Sequence, residues 1–171
     1  MALDLEYSFD ENTYRKRVNG FGIVGHSHNL LCFIIKLAEK FDEYGGIRIL
    51  AESTEDSVRP IFDDYVQKHN LPVGQERIDM AAGFFDAMGM GLMKGAGTAE
   101  GGTVTMTRSH IDEGWKMKFG DADHALNYFA CGFITAMFGC AFDKPPHSYK
   151  VEETTSLAMG SEQGSFTVKA V

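Results

Sequence analysis

DADHALNYFACGFITAMFGCAF, residues 121–142, followed after DKPP by HSYKVEETTS (147–156) and, past a glycine-punctuated loop, by SFTVKA (165–170), is the stretch that decides the fold. In its first part Leu126, Phe129, Ala130, Phe133, Ile134, Met137, Phe138 and Ala141 recur at spacings of three and four. That period predicts one amphipathic helix over 121–142 with a long apolar stripe. Pro145-Pro146 ends it. The next run alternates Tyr149, Val151 and Glu153 against Ser148, Lys150 and Glu152, and Phe166, Val168 and Ala170 alternate in the same way, so two strands follow. Glu153 then falls on the apolar side, where a carboxylate has no obvious business.

Working back towards the start, Thr103–Ile111 alternates Val104, Met106, Arg108 and His110 against threonines and Ser109. After Asp112-Glu113-Gly114 the run Trp115, Met117, Phe119 alternates with Lys116 and Lys118, which predicts a hairpin. KGAGTAEGG (94–102) reads as a linker or lid. Before it three helices are expected. The first spans 27–44 with Leu30, Leu31, Ile34, Ile35, Leu37, Ala38 and Phe41 inside, and Gly45-Gly46 stops it. The second covers 47–70, with a break or first turn at Pro60. The third runs over 76–93 and carries three glycines, each weakening a helix by about 1 kcal/mol relative to Ala. Residues 1–20 carry only Tyr7, Phe9 and Tyr14 among charges, a strand or an arm.

Four short strands cannot hide an apolar face alone, so the helices must cover it. The expected fold is α+β: a four-stranded antiparallel sheet of two hairpins under helices, in a single domain over 1–171. Its helical part is about 1–95, and the hairpin-helix-hairpin part is about 103–171.

Composition narrows the function. The 171 residues carry a formal net charge of -8, which argues against a phosphate-backbone binder, so nucleic acid is not an expected partner. No basic region followed by an apolar one stands at the N-terminus, and the strongly apolar run Leu30–Ile35 is far short of the roughly 20 residues that span a bilayer. A cytoplasmic protein without membrane insertion is expected. Cys32, Cys131 and Cys140 lack CxxC spacing and sit in apolar helical patterns, so they read as buried free thiols. Nine Met and 13 Phe are many for this length, and Met80, Met88, Met90 and Met93 fall close together, which suits a surface adapting to irregular apolar shapes.

If the aromatic side of the strands faces the helices, Arg108, His110 and Glu153 enter an apolar lining. Buried charges must pair with one another or meet a ligand. An ion pair between arginine and carboxylate is one outcome. A polar anchor in an apolar pocket is the other, with Met88, Trp115, Phe129, Phe133 and Met137 as wall residues. His26-x-His28 lacks a third metal ligand nearby, and no metal or cofactor is expected, with heme or a metal at His26/His28 as the alternatives. His124 and His147 read as surface residues. No GxSxG, HExxH or P-loop pattern is present.

The tail from His124 to Val168, by its glycine-interrupted helix YFACGFITAMFG, the strand VEETTS, LAMG ending at Gly160 and the closing SFTV, resembles the 4-vinyl reductase family of predicted hydrocarbon-binding proteins. The resemblance covers about a quarter of the chain. It implies a ligand-binding fold akin to the heme NO-binding proteins and the vesicle-tethering transport subunits, with a hydrophobic small molecule as ligand. In that family a Cys follows the strand Glu three residues on and another precedes the last strand. Ser156 and Gly164 stand there in this chain, so no zinc is carried over. The same tail is loosely similar to the aminothiazoline-carboxylate hydrolase group. Three functions follow: a protein enclosing a hydrophobic or aromatic ligand with Glu153 as anchor, a small hydrolase or lyase using Glu153 as acid or base, and a dimeric partner subunit. A homodimer is expected because the helices offer more apolar face than the sheet needs.

Overall fold

The computed structural model describes residues 3–171. Three short strands, β1 (Tyr7–Asp10), β2 (Arg15–Val18) and β3 (Phe21–Ile23), form an antiparallel meander at the start. Helices α1 (His28–Lys40), α2 (Gly46–His69) and α3 (Gln75–Ala87) follow, with a 3-10 turn at Asp42–Tyr44. Then come β4 (Gly91–Thr98), β5 (Gly101–Ser109), α4 (His110–Phe119), α5 (Tyr128–Ala141), β6 (Tyr149–Thr155) and β7 (Gly164–Ala170). The second sheet is four-stranded and antiparallel, in the order β4-β5-β7-β6, and is built of two hairpins. The α+β architecture is therefore the one expected, although one of its strands is not.

The residues that make the buried face are the alternating ones. Val104 stands opposite Phe166, Val151 opposite Val168 and Glu153 opposite Phe166, so the apolar phase runs unbroken across three strands. Phe133 of α5 meets Phe85 of α3 edge-on at 4.9 Å and Phe62 of α2 at 5.2 Å. Gly132 brings α5 against α2: a Cβ there would stand 2.1 Å from the carbonyl oxygen of Ala51. A buried carboxylate, Glu55, accepts both the main-chain N–H and Nδ1 of His147 and so ties α2 to the segment entering β6. Among the described residues no helix is long and apolar enough to cross a membrane.

Several boundaries differ from those predicted. The expected helix over 121–142 starts only at Tyr128, because Asn127 caps it through its side-chain oxygen and Ala122 is pinned to Ala158 instead. The predicted strand Trp115–Phe119 is helical. Ser109 Oγ accepts the N–H of Asp112, which nucleates α4, and its buried residues Ile111, Gly114 and Trp115 fall at helical spacing. Alternation of Trp, Lys, Met, Lys and Phe over five residues fits either period. The missing strand is β4, formed from the expected end of the third helix and the expected linker 94–102. Its glycines admit close neighbours: a Cβ on Gly97 would stand 2.7 Å from the Phe138 ring. The α2 helix runs through Pro60 without ending, with that side chain exposed on the solvent side, where water can take the carbonyl freed one turn earlier.

Candidate functional site

The N-terminal meander roofs an apolar cavity. Tyr7, Val18 and Ile23 from its three strands face Val58 of α2, Phe84 and Ala87 of α3, and Phe129 of α5, with Leu5, Val24, Met88 and Met90 closing the sides. The space is about 290 Å3, and among the described residues His26 is the only titratable nitrogen on its wall. The roof is seated by Leu3, whose side chain lies against Gly83, and by the Asp4 N–H, which donates to Tyr65 Oη at 2.9 Å. Of the residues expected to wall a pocket, Met88 and Phe129 line this space. Trp115, Phe133 and Met137 do not. Phe133 and Met137 are fully buried in the core, and Trp115 sits with Phe119 beneath the Lys36 ammonium.

Glu153 belongs to a different place. Its Oε2 accepts the main-chain N–H of Asn127 at 3.0 Å. The Asn127 amide donates to Asp112 Oδ2 at 2.6 Å and to Ser109 Oγ at 3.1 Å, while Asp112 Oδ1 accepts from the Ala158 N–H and from Ser156 Oγ. Five polar side chains from β5, α4, the α5 cap, β6 and the loop after it are joined in this way. Burial, helped by the nearby Asp112 charge and opposed by the Asn127 N–H, pushes the Glu153 carboxyl up from its ordinary 4.5 to about 7. Among the described residues no group of three or more His, Cys, Asp and Glu is arranged to hold a metal.

Neither expected companion of Glu153 reaches it. Between β4 and β5 the register slips, Leu92 pairing with Arg108 and Met93 with Met106, so one extra residue reverses the phase of β5. Arg108 is turned to the exposed face and pairs with Glu113 at 3.0 Å. His110 lies one residue past the strand, as the first residue of α4.

There His110 joins the two histidines whose spacing was singled out in the sequence. Its ring stacks on His28 with centroids 3.9 Å apart and meets His26 edge-on at 5.2 Å. Its Nε2 is shut off from solvent and has no hydrogen-bond partner. Burial first, and then the neighbouring imidazoles, hold the His110 pKa below the usual histidine range. Beside the cluster opens a polar cleft of about 350 Å3, lined by His28, Gly89, Gly91, Leu92, Arg108, Ser109, His110 and Glu113. Successive residues of one turn divide the two spaces, Met88 and Met90 facing the apolar cavity and Gly89 and Gly91 the polar cleft. For the roof the sequence offered only a strand or an arm over residues 1–20, since charges interrupt its apolar residues, and β1 and β2 fall there while β3 lies just beyond.

No family model and no curated protein matches the chain at the sequence level. Solved structures do match it. The phenol-responsive sensory domain of the transcription activator PoxR, crystallised with phenol, superposes with a TM-score of 0.74 at 11% identity, covering 96% of this chain and 84% of that one. A trafficking protein particle complex subunit 3 from Naegleria fowleri, covalently bound to palmitic acid, superposes with a TM-score of 0.54 at 11% identity, covering 84% of this chain and 95% of that one. At such identities the likeness is one of fold.

Proposed function

We propose that this chain is a small-molecule-binding module that takes a hydrophobic or aromatic ligand into the cavity beneath the N-terminal meander. The observation that carries the reading is the cavity itself: about 290 Å3 walled almost wholly by apolar side chains drawn from both halves of the chain. Concave, mostly apolar spaces with few polar groups are the usual form of a small-molecule site. Two proteins of the same fold are described with an aromatic or an aliphatic ligand, phenol and palmitic acid, which supports the class of ligand. The likeness of the tail to hydrocarbon-binding 4-vinyl reductase relatives points the same way. In this reading Met88 and Phe129 touch the ligand, Glu153 is internal structure, and no cofactor is invoked.

Displacement of an environment-sensitive apolar dye by indole or ethylbenzene tests it. Val58→Trp, which fills the cavity from α2, should abolish dye uptake while leaving the circular dichroism unchanged. Dye uptake undiminished in that variant would place the ligand elsewhere.

The hydrolase or lyase alternative rests on the Glu153 carboxyl near pH 7, but Glu153 lines neither space described above. Self-association has a more specific support. Leu30, Phe33, Ile34 and Leu37 of α1, with Phe41 and Tyr44 just after it, remain exposed. A contiguous exposed run of large apolar side chains is the kind of surface that a protein partner covers. Light scattering should give twice the chain mass, and Leu37→Glu should halve it.

A further inference from the structure

We infer that the ligand of the apolar cavity ends in a carboxylate, and that His110, with His26 and His28, holds that head group. The inference rests on the pocket reading above and adds the chemistry of one end of the ligand.

Three observations converge on it. First, His110 Nε2 is sealed from water and unpartnered. A buried polar nitrogen without a partner costs about 1–3 kcal/mol, so a site that keeps one is poised for a group from outside. Second, the imidazoles next to it connect it to the apolar space. His26 stands on the cavity wall and touches the His110 ring, and the His110 N–H donates to the carbonyl of Met90, another wall residue. A ligand body lying against Met88 and Met90 ends beside His26, whose ring touches His110. Third, the charge around the cluster suits an anion. His28 opens α1, whose Ser27 gives no side-chain cap and whose first turn has no acidic residue, so the positive end of that helix stands uncapped by any side chain, although the Leu30 N–H donates to the Ser27 carbonyl. Glu113, the one carboxylate lining the cleft, is engaged by Arg108.

The charged and titratable groups that face His110 are therefore His26 before α1, His28 on α1, Arg108 on β5 and Glu113 on α4. Burial, and then its fellow imidazoles, hold His110 below the ordinary histidine range. Docking a carboxylate favours the protonated imidazole, so a proton is taken up with the ligand. Affinity for a carboxylate then rises as pH falls from 8 to 6, while affinity for a neutral analogue stays level.

Calorimetric titration of the purified protein with 4-ethylbenzoate, 4-ethylbenzamide and ethylbenzene at pH 6 and pH 8 tests this. The expected result is benzoate binding at least tenfold tighter than benzamide at pH 6, with that ratio falling at least threefold at pH 8. In His110→Leu the ratio should drop to within twofold. His28→Leu reads the same ratio if the first variant does not fold. Equal binding of benzoate and benzamide by the wild-type protein, or a ratio that survives both substitutions, would overturn the carboxylate and leave the pocket standing. If none of the three compounds binds, the pocket reading falls with it.

Discussion

Glu153 Oε2 receives the main-chain N–H of Asn127, the residue whose own side chain caps α5 and donates to the buried carboxylate of Asp112. One strand residue thereby fixes the start of the central helix. Burial, helped by the nearby Asp112 charge, pushes the Glu153 carboxyl up to about 7, so it takes up a proton far more readily than an exposed glutamate.

The pH dependence of stability should show this. The Glu153 pKa is higher in the folded protein, about 7, than its ordinary 4.5, so between those values the folded state binds more protons than the unfolded. Its contribution to stability is present below pH 4.5 and is lost as pH rises through 7. Melting temperatures measured from pH 5 to 8 should fall more steeply for the wild type than for Glu153→Gln. Parallel curves would refute the assignment.

Asp112 carries more of the cluster than Glu153 does. Its carboxylate satisfies the Ala158 N–H, Ser156 Oγ and the Asn127 amide in a fully buried position. Asp112→Ala strands those donors and should cost about 3–5 kcal/mol in urea unfolding, within the range for breaking buried charged networks. Asp112→Asn, which keeps the volume and one acceptor, should cost less.

Gly132 is the tightest point between α2 and α5. Since a Cβ would stand 2.1 Å from the Ala51 oxygen, Gly132→Ala must push the helices apart, and overpacking of this kind costs about 1–3 kcal/mol. Gly132→Val should be worse. Unchanged denaturation midpoints for both would show that the two helices do not approach so closely.

The cysteines should be chemically quiet. Burial pushes the thiols of Cys131 and Cys140 up to about 12, so almost no thiolate exists at pH 8. A chromogenic disulfide reagent should modify these two only after urea is added. Fast labelling of Cys131, which is only half-buried, would contradict its raised pKa.

The strand phases were legible in the sequence, and so was the α+β class, because alternation at Tyr149–Glu153 and Phe166–Ala170 has no helical reading. Glu153 was correctly placed on the inner face. Arg108 was not, because an inserted residue that reverses a strand's phase leaves no mark on an alternating pattern. Nor was α4, whose Lys-interleaved aromatic residues satisfy either period, or β4, whose glycines look like slack when they are room for Phe138. The three histidines come from two distant segments, so only the fold could bring His110 to His26 and His28. Over residues 1–20 charges left a strand or an arm as equal readings, and nothing in the pattern showed a three-stranded meander.

The roof shares no strand pairing with the four-stranded sheet. It can therefore come loose as a unit while the sheet and its helices stay intact, a sub-global opening that costs less than full unfolding. Amides of Arg15–Val18 should exchange with deuterium well before those of Val104 and Met106, and a bound ligand should slow the first set alone. How fast a ligand comes and goes is then set by the stability of some twenty residues, not by that of the whole protein.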